Sequence, residues 1–171
     1  KVIAYITNYL ENGNDGDDID FQESVQNADT SKCLIDTSED KPEYLDGNNS
    51  KAVKKNSRIS KQVLVEANYI CAGDDSHTTF LTNKGVSYME GHHLIPCTYS
   101  NANYFWNTRK RNIDCVENVV CLCPTCHRKI HFGSPEEKKT LIERLYMKQI
   151  SKLSEANLAI SLHELYELYG L

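Results

Sequence analysis

The sequence predicts an α+β fold in which short strands and flanking helices are held together around a bound metal. Three observations carry that expectation. The run Gly91-His92-His93-Leu-Ile-Pro96 closes a strand-like stretch. The run Cys121-Leu-Cys-Pro-Thr-Cys-His-Arg-Lys-Ile-His131 joins a Cys-x-x-Cys pair to two histidines four residues apart. Beyond it, apolar residues recur at helical spacing.

The chain has 171 residues, 40% of them hydrophobic and 25% charged, which suits one domain of ordinary size plus extra segments. No apolar run approaches the ~20 residues that a membrane span needs, so no membrane partner is expected. No signal-peptide pattern is read in the chain's first residues, so none is expected. It begins at Lys1, and a piece of a longer protein is the expectation. The net charge of -5 hides a division. Residues 1–50 carry 12 acids and 3 bases, whereas residues 51–171 carry 12 acids and 16 bases. A phosphate-binding surface needs its bases where contact is made, so the second part is the better candidate for nucleic acid. The seven cysteines (33, 71, 97, 115, 121, 123 and 126) are odd in number and lack a secretion signal. Reduced thiols, some of them metal ligands, and a cytoplasmic location are therefore expected.

Taken in order, residues 1–10 read as a short helix or strand. Residues 11–50, rich in Asp, Asn, Ser and Gly, read as an acidic linker or a loosely ordered extension. Within them Asp15-Gly-Asp-Asp18 lacks the glutamate that closes a calcium loop and reads as a solvated loop. Residues 1–57 are expected to be an N-terminal extension, linker or tail of an upstream domain, and 58–171 the functional domain. Val63, Leu64, Ala67 and Ile70 predict a helix ending near Cys71, before Gly73. Thr78–Thr82 and Val86–Glu90 read as two strands joined by a turn at Asn83-Lys-Gly85. A long polar segment, roughly 96–117, follows. Ser134-Pro-Glu-Glu137 is a capping box that starts a helix with an apolar stripe of Leu141, Ile142, Leu145, Tyr146 and Ile150. A last helix opens at Ser161 and stops at Gly170.

Cys123 and Cys126 form a knuckle that lets two sulfurs share one tetrahedral Zn²⁺. The best further donors are Cys71 and His77 in "CAGDDSH", giving a Cys₃His site; Asp74, Asp75 or a water is the alternative to His77. Cys33, Cys97, Cys115 and Cys121 have no partner at ligand spacing and read as free thiols. Successive side chains of a strand point to opposite sides, so His92 and His93 have different tasks. His127 and His131 share one helix face and can converge on an ion with one of that pair.

The residues "YMEGHHLIPC…NVVCLCPTCHRKIHFG" resemble the HNH nuclease motif on a ββα-metal fold, nearest to the McrA-like branch that acts on modified DNA. The loop "CAGDDSHTTF" departs from the commoner Cys-x-x-Cys of that family and is similar to a subgroup with a Cys-x5-His loop. The resemblance covers roughly residues 58–171. It implies a metal-dependent endonuclease in restriction or defence, acting on DNA, in particular double-stranded DNA. It places His92 and His127 as ligands of a catalytic Mg²⁺ or Mn²⁺, with Ni²⁺ compatible. It places His93 as general base and Asn118 as the central asparagine that braces loop and base. His131 matches a further ligand found in only some members. The structural zinc stays with Cys71, His77, Cys123 and Cys126. Arg109, Lys110, Arg111, Arg128 and Lys129 are the candidate phosphate contacts. Tyr99, Tyr104, Phe105 and Trp106 either anchor the long segment or meet bases. The alternatives are a zinc-stabilised DNA-binding module without chemistry and an RNA-directed or toxin nuclease. A homodimer is left open.

Overall fold

The computed structural model describes residues 15–29, 36–46 and 51–171. The expectations for residues 1–10 and for Cys33 lie outside the described residues. The fold is α+β. Helix α1 (Asp15–Asn27) is followed by a hairpin of β1 (Tyr44–Asp46) and β2 (Lys51–Val53), then helix α2 (Ser57–Glu66). Strand β3 (Glu90–His93), helix α3 (Tyr99–Arg109), strand β4 (Val119–Leu122) and helix α4 (Pro124–Phe132) come next. Helices α5 (Pro135–Glu155) and α6 (Leu162–Leu168) close the chain. Among the described residues, no helix is long and apolar enough to cross a membrane.

The centre is a strand–strand–helix unit. Strands β3 and β4 pair antiparallel, with Gly91 opposite Cys121, His92 opposite Val120 and His93 opposite Val119. Every residue of both strands is buried. Helix α4 leaves β4 at once, because Cys123 caps it and Pro124 stands at its first position, where a missing N–H costs nothing. Helix α2 covers the sheet with Ile59, Ser60, Val63 and Leu64. Helix α5 packs Leu141, Ile142, Leu145, Tyr146 and Leu153 on α4 and the turn before β4.

Several elements differ from expectation. The acidic stretch around Asp15–Asp18 is the start of α1, not a loop. Among its described side chains that helix buries no large apolar face; it buries Val25 completely and uses two amides instead. Gln22 donates Nε2 to Gly91 O (3.1 Å) and accepts from Gly91 N through Oε1 (3.3 Å). Gln26 donates to Met89 O at 2.8 Å. The outer edge of β3 is thereby satisfied by side chains rather than by another strand.

Helix α2 stops at Glu66, short of Cys71, because Asn68 and Tyr69 take positive φ values of 50° and 55°. The predicted strands at 78–82 and 86–90 amount to one bridge, Leu81 with Ser87, closed by a turn at Gly85 (φ +75°). The paired strands proper are β3 and β4. Helix α3 occupies the segment read as long and polar. Thr98 caps it, and it buries only Ala102 and Phe105, too few to leave a periodic signal. Ile150, placed in the apolar stripe of α5, is 41% exposed, and Leu153 is buried one turn on.

Candidate functional site

Two clusters of metal-donor side chains meet at helix α4. The first joins the loop after α2 to the start of α4. Ala72 N donates to Cys121 O (2.8 Å), which hangs that loop on β4. Arg144 of α5 donates to Gly73 O at 2.6 Å. Within the cluster, Cys123 N donates to Cys71 Sγ (3.3 Å) and Cys126 N to Cys123 Sγ (3.4 Å). His77 Nδ1 lies 3.4 Å from Cys123 Sγ and 3.3 Å from Cys126 Sγ. One donor atom from each of Cys71, His77, Cys123 and Cys126 falls within 4.8 Å of all the others.

These residues fit a zinc ion. Tetrahedral Zn–S and Zn–N bonds put sulfur and nitrogen about 3.6 Å apart, close to the separations seen. The charges fit as well. The hydrogen bond from Cys126, against the opposing effect of burial and with help from Cys123 N–H, pulls the Cys71 thiol down to about 4. Cys126, which gives that hydrogen bond, is pushed far up. Three thiols this close cannot all ionise unless a cation stands between them, and thiolate is the ligand form.

The second cluster comprises His92 from β3 and His127 and His131 from α4, again with donor atoms within 4.8 Å. His127 Nε2 is 3.2 Å from His131 Nε2, and the His92 and His127 rings are 5.0 Å apart. His127 donates Nδ1–H to Glu90 Oε2 at 2.6 Å, the kind of carboxylate backing that leaves Nε2 free as a ligand. Glu90 precedes His92 by two residues and so shares its side of β3. Burial pushes the Glu90 carboxyl up, but the His127 hydrogen bond and charge outweigh it, and the net displacement is downward. Burial, then the neighbouring His127 and His131, holds His92 well below the usual histidine range, hence as neutral imidazole. Neutral imidazole is the metal-binding form.

His93 points elsewhere. Its Nε2 donates to Asp114 Oδ1 at 2.8 Å, and both side chains are buried. Asp114 is itself fixed, since Oδ2 accepts from Asn56 N at 2.7 Å and its N–H reaches Asn112 Oδ1. Asn118 is fully buried. Its Oδ1 accepts from Ile95 N (2.7 Å), and Nδ2 donates to Ile95 O (2.9 Å) and Ile113 O (2.8 Å). These bonds brace the loop after β3. The side-chain hydrogen bonds of Asn118 go to backbone, however, and the side-chain partner of His93 is Asp114.

Each candidate phosphate contact has a partner within the protein. Arg109 donates to Ala159 O and Arg111 pairs with Glu39 at 2.6 Å. Lys129 sits 3.6 Å from Glu137. Lys110 lies over the Trp106 ring and Arg128 over Phe132. Of the aromatics, Phe105 is buried and Tyr99 packs edge-on against Tyr44, so both anchor α3, while Tyr104 is 56% exposed.

Sequence reasoning missed three partners. Glu90 was findable, because an acid two before His92 must share its face. Asp114 and Tyr169 reach the histidines only through tertiary contact. Tyr169 Oη stands 2.9 Å from His92 Nε2.

Residues 59–133 match the HNH endonuclease family. The chain also resembles the type IV methyl-directed restriction enzyme EcoKMcrA of Escherichia coli strain K12, at 31% identity over 97 residues. Over this segment the chain is similar to HNH endonucleases. The alignment spans 57% of this chain but only 30% of that relative. The HNH segment contains every histidine and cysteine of both clusters, together with His93, Asp114 and Asn118. Tyr169 lies beyond it.

Proposed function

We propose that this chain is a metal-dependent HNH endonuclease that hydrolyses phosphodiester bonds of double-stranded DNA in restriction of foreign or modified DNA. One observation carries the reading. A single strand–strand–helix unit presents three clustered imidazoles, His92, His127 and His131, beside a fourth, His93, tied to a buried carboxylate. The relative named above is methyl-directed, and we extend preference for modified DNA to this chain on that ground. The reducing cytoplasm, where thiol clusters persist, is the matching compartment.

In this reading Cys71, His77, Cys123 and Cys126 hold a structural Zn²⁺ that locks the loop after α2 to α4. His92, His127 and His131 hold a divalent ion, Mg²⁺ or Mn²⁺, with Ni²⁺ also suited to imidazole ligands. When bound, that ion supplies Lewis-acid stabilisation of charge on the phosphate and the leaving oxygen. His93 removes the proton from the attacking water. Its Nε2–H is committed to Asp114, so Nδ1 holds the lone pair that accepts the proton. Asp114 then balances the imidazolium that forms. Asn118 keeps the loop following His93 in place through Ile95. Arg128, next to His127, is the first choice for a phosphate contact, followed by Lys129, Arg109, Lys110 and Arg111.

Incubating plasmid with the protein and Mg²⁺ or Mn²⁺, with and without EDTA, tests the reading. Nicking that needs metal and falls about 10²–10⁴-fold in His93→Ala is expected. Cutting at full rate by folded, zinc-replete His93→Ala would remove His93 as base. No cutting under any metal would leave a zinc-stabilised DNA-binding module. Digestion of matched unmodified, methylated and hydroxymethylated DNA tests the preference, and equal cutting of all three would reduce it to a general nuclease.

A further inference from the structure

We propose that Tyr169, outside the HNH segment, is a positioning residue that fixes the tautomer of His92 and so decides which ring nitrogen faces the metal. The inference rests on the reading of His92, His127 and His131 as a metal triad.

A phenol has one O–H to donate, and its oxygen can also accept. Tyr169 Oη lies 2.9 Å from Leu94 O, 3.4 Å from His93 O and 2.9 Å from His92 Nε2. Backbone carbonyls only accept, so the tyrosine proton goes to Leu94 O. Toward His92 the oxygen is then an acceptor, and Nε2 must carry the hydrogen. The one lone pair left on the neutral His92 ring is at Nδ1. His127 is set the opposite way by Glu90, which takes Nδ1–H and leaves Nε2 free. The two imidazoles from β3 and α4 are therefore oriented by partners from different parts of the chain.

The end of α6 is built to hold this phenol. Leu165 is fully buried. Gly170 turns the chain at φ +71°, and Leu171 N returns to Tyr166 O at 3.0 Å. The hydroxyl gives its proton to Leu94 O, 2.9 Å away. The same hydroxyl ties the C-terminal helix to the backbone just after β3. Metal binding at the triad and docking of α6 thus share one oxygen atom.

The test uses the full chain loaded with zinc. Nitrogen-15 imidazole spectra of the wild type give the tautomer directly, and Nε2–H at His92 is expected. Titration with Mn²⁺ or Ni²⁺, followed by calorimetry, compares wild type, Tyr169→Phe and His127→Ala. Tyr169→Phe keeps the ring and loses only the oxygen. It is expected to weaken the added ion by on the order of 10–100-fold, with zinc content unchanged and His92 showing mixed tautomers. A wild-type His92 protonated at Nδ1, or equal ion affinity in Tyr169→Phe, overturns the assignment while the triad stands. Equal affinity in His127→Ala overturns the triad itself and the role of Tyr169 with it.

Discussion

His93 Nε2 and Asp114 Oδ1 are 2.8 Å apart, and neither side chain is more than 6% exposed. A buried carboxylate on a buried imidazole fixes the ring and its proton. Asp114→Asn retains the shape and removes the charge. Nicking is expected to fall about 10²–10⁴-fold, chiefly in kcat, with KM for DNA little changed. Single-turnover rates on plasmid, alongside circular dichroism to verify the fold, check this.

The two clusters are expected to behave independently toward metal. Cys126→Ser should lose the zinc found by native mass spectrometry and melt at a lower temperature, since a site assembled only in the folded chain adds its binding energy to folding. His127→Ala should retain the zinc and lose only the second ion. Loss of both metals from either variant would show one shared site.

Gly91 has no room for a side chain. A Cβ there would lie 2.5 Å from Ser60 Cβ and 2.7 Å from Ser60 Oγ, where α2 crosses β3. Gly91→Ala is expected to destabilise the fold by about 1–3 kcal/mol in urea titrations. Adding Ser60→Ala should not rescue it, because the Cβ remains. Ser60→Gly should recover part of the loss, less the ~1 kcal/mol that glycine costs a helix.

Burial pushes Cys121 up to about 12, and it pushes Cys97 and Cys115 higher still. In the unfolded chain a thiol titrates near ~8.5. A folded value above the unfolded one stabilises fully below the unfolded value, and that contribution is lost as pH rises toward the folded value. Unfolding free energy, read from urea titrations, should therefore hold between pH 7 and 8 and fall above about pH 9, by up to ~1.4 kcal/mol per pH unit for each thiol. Cys121→Ala should flatten the slope, and iodoacetamide at pH 8 should leave Cys115 and Cys121, both buried, unlabelled until the protein unfolds.

Much of the candidate site was legible because its donors are local in sequence. A Cys-x-x-Cys knuckle, a Cys-x5-His loop, adjacent histidines on a strand and an i,i+4 pair each have a geometry that spacing dictates. The fold around them was less so. Helix α3, with Ala102 and Phe105 its buried residues, carries no periodic stripe, and α1 is held by amides that hydropathy ignores. The groups that orient the histidines were hidden for another reason. Asp114 lies 21 residues from His93, and Tyr169 lies 77 from His92, distances that only the folded chain closes.

The helix that stands along β3 also bears on how pieces of this protein would behave. Without α1, the Gly91 and Met89 backbone groups now answered by Gln22 and Gln26 would face outward as a ready pairing template. A fragment cut to the HNH segment alone would be prone to zip to a second copy along that edge, directly beside His92. Dimers seen with such fragments would then record the missing amides and not the assembly of the intact chain.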